Sequence, residues 1–203
     1  MRGHRHDGGI WALVPVKRLD RAKSRLATLL DPRERNLLAR AMLCDVFATL
    51  NRVDGLAGIL VVTSDPEAAS LAAGFGATVI PDPVEGGLNA AIRGGLRWLD
   101  AGRGAGAIIV PGDIPFATVA ELNSVLLALS ANPVVIAPAL RDGGTNILAM
   151  RPLLLSPAYG PDSFARHLAA ARALGIEPKP LILEGAGHDI DVEHHQAPAE
   201  LED

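Results

Sequence analysis

The chain has 203 residues, 49% of them hydrophobic and 3% aromatic, and a formal net charge of −4. This is material for one ordinary domain with a core of Leu, Ile, Val and Ala; it lacks the basic excess that draws in a nucleic-acid backbone and the aromatic platforms on which single strands stack. One cysteine, Cys44, cannot form an intramolecular disulfide, no apolar run reaches the roughly 18 residues of a membrane span, and the polar residues 1–9 lack a signal-peptide centre. The expectation is a cytoplasmic protein without nucleic-acid or membrane partners, monomer or homodimer, with residues 1–9 as a flexible leader.

Apolar β-branched runs alternate with helical patterns along the chain. The first strand is expected over Ile10–Val16, followed by a basic loop, Lys17–Arg25. Asp31 as cap, Pro32 in the first helical position and Glu34 at the capping-box position start a helix that runs to about Asn51. Cys44 lies within it among apolar residues and is expected in the core. Gly58–Thr63 reads as a buried strand. Ser64 or Asp65, with Pro66, caps a second helix ending at Gly74 or Gly76, and Ala77–Ile80 is a short strand. Leu88–Leu99 reads as a helix, and Gly106–Val110 as a strand apolar enough to be buried on both faces. Helix Thr118–Leu129, strands Val134–Ala137 and Asn146–Met150, helix Asp162–Leu174 and strand Lys179–Leu183 complete the order. Strand–helix alternation predicts a single α/β domain over residues 1–203, with a mostly parallel sheet between helix layers.

In such sheets the ligand lies beyond the carboxyl ends of the strands, which directs attention to five segments. The first, Pro15–Leu26, carries five basic side chains directly after strand one. Phosphate groups need such cations, and Lys17, Lys23 and Arg25 are the candidates for a triphosphate clamp; the plain alternative is a solvated loop. Lys23-Ser24 lacks the upstream glycines of a Walker A loop. The second, Pro111-Gly112-Asp113-Ile114-Pro115, presents a carboxylate on a proline-stiffened turn, suited to Mg²⁺, a hard cation that takes oxygen ligands. The third, Asp189-Ile190-Asp191, sets two carboxylates on one side of an extended segment. It is a metal site with Asp113 or a surface turn, according to whether it returns near Asp113.

The fourth segment, Gly86-Gly87-Leu88-Asn89, opens a helix where backbone can approach a ligand, and the Asn89 amide is a candidate for a base edge or ribose. The fifth pairs the loop Arg141–Asn146 with the helix start Tyr159–Phe164. Free N–H groups at that start attract anions, and Thr145 and Ser163 offer hydroxyls for an acidic phosphorylated acceptor; a hairpin turn and a helix cap are the alternatives. Other features carry less. Gly102–Ala107 fits G-x-G-x-x-A but precedes a strand, so the dinucleotide reading fails. His194-His195 has no third ligand at metal spacing. No nucleophile elbow precedes an Asp and a His in hydrolase order.

The segments P-V-K-x-x-x-x-A-K-S-R-L (15–26), G-G-L-N-x-A (86–91), P-G-D-I-P (111–115), D-G-G-T-N (142–146) and Y-G-x-x-S-F (159–164) occur here in order. As an ordered set they resemble the guanylyltransferases of deazaflavin coenzyme F-420 biosynthesis, over roughly Leu13–Asp191. That family activates 2-phospho-L-lactate, phosphoenolpyruvate or 3-phospho-D-glycerate with GTP. The resemblance implies a Rossmann-like three-layer nucleotidyltransferase domain, similar to the molybdopterin guanylyltransferases. It implies an acceptor pocket at Thr145, Gly160 and Ser163, and Mg²⁺ at Asp113, Asp189 and Asp191. Lys17, Lys23 and Arg25 would meet the triphosphate, and Pro15, Gly87, Asn89 and Gly112 the nucleotide. A sugar-phosphate nucleotidyltransferase or a nucleotide-sugar glycosyltransferase of the same fold type is the alternative within enzymes. A nucleotide-binding regulator without turnover is the alternative outside them.

Overall fold

Side-chain caps set where the helices begin. In the computed structural model, which describes residues 8–19, 23–82, 87–102 and 104–190 (the Arg25 side chain excepted), helix α1 is Pro32–Leu50. The Asp31 carboxylate accepts the N–H groups of Arg33 and Glu34, and Glu34 accepts the N–H of Asp31. This reciprocal box satisfies donors that the first turn leaves open. The Asp65 carboxylate caps α2, Pro66–Gly74, by accepting the Glu67 and Ala68 N–H groups, and Thr118 with Glu121 forms a second reciprocal box at α4, Val119–Ala131. Helices α3, Gly87–Asp100, and α5, Ser163–Ala173, complete the set, with a short 3-10 helix at Ser24–Thr28. These agree with the sequence expectation to within one or two residues at each boundary, apart from the 3-10 helix, which was not foreseen.

The seven strands are β1 Ile10–Pro15, β2 Leu56–Val62, β3 Thr78–Ile80, β4 Gly106–Ile109, β5 Val134–Pro138, β6 Thr145–Met150 and β7 Lys179–Pro180. They form one sheet in the order β3-β2-β1-β4-β6-β5-β7. β1 runs parallel to β2 and β4, while β6 runs antiparallel to both β4 and β5. Side chains alternate between the two faces, as strand pleating requires. Ala12, Val14, Ile108 and Val110 join the core under α1, α2 and α4; Trp11, Leu13, Ala107 and Ile109 join the core under α3 and α5. The result is the expected three-layer α/β sandwich. Gly95 lets α3 sit close against the sheet, since a Cβ there would collide with Leu13. Cys44, expected in the core, is half-buried on the flank of α1; the buried stripe is Met42, Leu43, Val46, Phe47 and Leu50. No helix among the described residues is long and apolar enough to cross a membrane.

The topology fixes where a ligand can sit. From β1 the chain moves outward to β2 and β3, then returns to add β4 on the other side of β1. The carboxyl ends of β1 and β4 therefore border the crevice at which the strand order reverses. β6, being antiparallel, brings its beginning rather than its end to that edge, and its first residue is Thr145. Three segments far apart in sequence are thereby delivered to one rim.

Candidate active site

A cavity of about 430 Å³ occupies that crevice. Pro15, Lys17 and Lys23 line it from the β1 loop, Gly112 and Asp113 from the β4 turn, Thr145 from β6, and Asp189 from the late segment. Leu88 and Ile92 of α3, Met42 and Leu43 of α1, and Asn146 and Tyr159 complete much of the wall. Predicted candidates from four of the five segments thus share one cavity. Gly87, Asn89, Gly160 and Ser163 do not line it directly and stand behind or beside its wall. Asp191, Gly86 and His194-His195 lie outside the described residues, and so does the Arg25 side chain.

The basic loop is anchored before it reaches the cavity. The Leu19 N–H donates to the Asp65 carboxylate, whose other oxygen caps α2. Lys23 then adopts a left-handed backbone conformation, φ 53°, which costs a non-glycine residue on the order of 1 kcal/mol. Its ammonium lies 2.7 Å from Asp113 Oδ2. The lysine side chain is only 6% exposed and the aspartate 39%, so the cation is the buried member of the pair. Lys17 pairs with Asp82, Nζ to Oδ2 2.6 Å, at the far end of β3. Asp82 was not singled out from the sequence, although it follows a strand end directly; its other oxygen is buried and has no hydrogen-bond partner among the described residues.

Asp113 and Asp189 come from segments 76 residues apart and line the same cavity. The Ile190 N–H donates to the Asp113 carbonyl at 3.3 Å, which holds the late segment beside the β4 turn. The return of this segment to Asp113, left open by the sequence, therefore occurs. Among the described residues no group of three or more side chains is arranged to ligate a metal. Two carboxylates on one rim still fit Mg²⁺, which is commonly bound through one or two carboxylates with substrate phosphates and water.

At the other end of the cavity the groups in contact with Thr145 and His167 are neutral. The Phe164 N–H donates to the Gly143 carbonyl, joining the start of α5 to the loop before Thr145. Asp162 occupies the cap position at φ 54°, and its side chain makes no capping bond; Gly160, at φ 124°, takes a conformation that L side chains rarely adopt. Thr145 Oγ1 stands 2.9 Å from His167 Nδ1, and the Ala158 N–H donates to His167 Nε2 at 2.9 Å. Burial, with a smaller contribution from the Arg166 guanidinium, lowers the His167 pKa to about 4. Tyr159 packs edge-on against that imidazole, ring centroids 4.9 Å apart; burial raises its phenol pKa, and the hydroxyl has no hydrogen-bond partner among the described residues. His167 escaped the sequence reading, yet it lies four positions after Ser163, on the same helix face, and both are buried.

Asn89, expected at the nucleoside, makes two hydrogen bonds within the fold. Its Oδ1 accepts the Tyr159 N–H at 2.8 Å and its Nδ2 donates to the Tyr159 carbonyl at 3.0 Å. Both ends of the amide are engaged with the backbone of the 158–160 loop. Asn89 thus ties α3 to the Thr145 end.

A carboxylate turn and a basic loop facing each other across the switch point of such a sheet define a nucleotidyltransferase-type α/β domain. A nucleotidyl transferase from Methanothermobacter superposes on it with a TM-score of 0.67 at 23% identity, covering 90% of this chain and 92% of that one, a likeness of fold. The chain belongs to the guanylyl transferase family described as CofC like, which it matches over residues 10–200. It is 40% identical to a phosphoenolpyruvate guanylyltransferase of Sphaerobacter thermophilus over 95% of this chain and 90% of that protein. It is 39% identical to a 3-phospho-D-glycerate guanylyltransferase of Phenylobacterium zucineum, over 76% of this chain and 73% of that one.

Proposed function

We propose that this guanylyltransferase moves GMP from GTP to the phosphate of a three-carbon phospho-acid: phosphoenolpyruvate, 3-phospho-D-glycerate or 2-phospho-L-lactate. An acceptor phosphate oxygen attacks the α-phosphorus in line, the bond to the bridging oxygen breaks, and pyrophosphate leaves. The acceptor phosphate is largely dianionic at neutral pH, its second pKa being about 6. The attacking group needs no protein base, and the barrier lies in bringing two polyanions together.

The chain's own residues address that barrier. Lys23, Lys17 and Arg25 supply cations to the triphosphate, and Lys23 is fixed in the cavity wall, so little ordering remains at the moment of reaction. Asp113 and Asp189 would hold Mg²⁺, and when bound that ion supplies charge neutralisation between the reacting phosphates. Thr145, with the Gly160 and Ser163 backbone turn behind it, receives the acid end of the acceptor, and positioning does the rest. The family resemblance supports a place in coenzyme F-420 biosynthesis, in the cytoplasm. The single observation that carries the reading is the buried Lys23 ammonium against Asp113 in the same cavity as Thr145.

The test is one assay: the full chain, GTP, Mg²⁺ and each of the three acids in turn, with pyrophosphate detected. Release with one acid and not with water is expected. GTP binding without pyrophosphate release for any acid would leave a nucleotide-binding protein and end the proposal.

A further inference from the structure

The proton on His167 can be located from its partners. The Ala158 backbone N–H can only donate, so the Nε2 that faces it at 2.9 Å carries no proton. A neutral imidazole keeps one proton, which must then be on Nδ1. Nδ1–H therefore donates to Thr145 Oγ1 at 2.9 Å. The ring is fully buried, and its lowered pKa keeps it neutral through the physiological range.

The consequence falls on Thr145. Its oxygen accepts from His167, so its own hydroxyl proton must find another acceptor. No second hydrogen-bond partner of Thr145 Oγ1 exists among the described residues, and Thr145 lines the cavity. A hydroxyl can rotate, and toward an anion the difference matters: an O–H attracts it and a lone pair repels it. Were the proton on Nε2, the Ala158 contact would be lost, and Thr145 would donate to the bare Nδ1 and turn lone pairs to the cavity.

We infer that His167 is a positioning residue, which by donating from Nδ1 commits the Thr145 hydroxyl to donate into the cavity, to an anionic oxygen of the acceptor. It touches no substrate itself. Asn89 and the Tyr159 ring support it by holding the Ala158–Gly160 loop and closing one side of the imidazole. The inference rests on the acceptor reading above for the identity of the anion, and on hydrogen-bond geometry alone for the tautomer.

Two measurements test it separately. Long-range proton–nitrogen NMR of the imidazole-labelled full chain, with His167→Gln assigning the signal, should show the Nδ1–H form, unchanged between about pH 8 and about pH 5. An Nε2–H signal would overturn the inference whether or not the chain transfers guanylyl groups. The second measurement is kinetic. In His167→Asn the side-chain amide reaches the Nδ1 position and still donates to Thr145 but loses Ala158; His167→Gln reaches the Nε2 position, keeping Ala158 and losing the donor. The acceptor KM should rise about tenfold in His167→Gln and no more than about threefold in His167→Asn, with the GTP KM unchanged in both. The reverse order would make His167 a loop support and nothing more. In a Thr145→Val background the difference between the two variants should vanish, and its persistence would equally overturn the assignment. Failure of every acid to yield pyrophosphate would end the functional reading while leaving the tautomer to be decided by NMR.

Discussion

The two ends of the cavity solve different problems with different chemistry. At the β1–β4 end, charge meets charge: Lys23 on Asp113, Lys17 on Asp82, with Asp189 alongside. At the Thr145 end the groups that meet are a hydroxyl, a neutral imidazole, a carboxamide and backbone N–H. Charges in a partly solvated cleft supply long-range attraction and tolerate imprecise placement. Neutral donors in a dry wall supply little attraction but discriminate by direction, because a misdirected buried donor costs about 1–3 kcal/mol. A transfer between two polyanions needs the first to bring the phosphates together. It needs the second to tell one small acid from another, since acids of this size differ by a hydroxyl or a double bond.

The comparison breaks most directly at Asp113. Asp113→Asn keeps the shape of the side chain and removes the charge that pairs with Lys23 in the cavity that Asp189 also lines. Turnover should fall by about a thousandfold, some 4 kcal/mol of barrier. The thermal midpoint should fall as well, because the Lys23 ammonium, 6% exposed, loses this carboxylate, so turnover is to be read on protein shown to be folded by its far-UV spectrum. Near-normal turnover would move the metal and the chemistry away from the β4 turn. Lys23→Met is next in size. It keeps the apolar length of a side chain that is 6% exposed and should cost about a hundredfold in kcat, as for loss of one fixed electrostatic donor. A loss confined to the acceptor KM would place Lys23 at the wrong end.

The neutral end should announce itself in pH. The folded-state pKa of His167, about 4, lies below the ordinary value of 6.5 for histidine. Between those values the unfolded chain takes up a proton that the folded chain refuses, so stability falls as pH drops through that window and is regained above it. Between about pH 7 and about pH 5 the loss should be on the order of 2 kcal/mol. Melting curves at about pH 7 and about pH 5 should show it in the natural chain, and His167→Gln should remove this contribution. An equal slope in both proteins would assign the loss to other groups.

Much of this was legible in the sequence because it is local. Asp31, Pro32 and Glu34 state the start of α1 within four residues. The apolar run before Asp113 states both a buried strand and what stands at its end. The β1 loop, the β4 turn and the D-G-G-T-N loop were legible as an ordered set, and the strand order then brings them together. What was not legible depends on contacts across the fold. Asp82 gains a role only through Lys17, 65 positions away, and His167 only through Thr145, 22 positions away. Nothing in a lone histidine on a helix says which of its nitrogens will be met by a donor. Cys44 was misplaced for a smaller reason: an apolar neighbourhood in sequence is not a buried face, and the α1 stripe passes beside it.

Asn89 offers the finest discrimination between the two ends. Sequence position put it with the nucleotide, at the entry to a helix behind paired glycines. The structure uses both ends of its amide on the Tyr159 backbone, which is part of the wall that holds Ala158 against His167. Asn89→Ala deletes two hydrogen bonds, each worth about 1 kcal/mol net, while Ala, the better helix former, offsets part of the loss. A drop in stability of about 1 kcal/mol and a rise in acceptor KM of about fivefold are expected. The GTP KM should stay within about twofold, because the loosened loop belongs to the acid end. If the GTP KM moved instead, the amide would reach the nucleoside once substrates bind, and the boundary between the charged and neutral halves would run on the other side of α3.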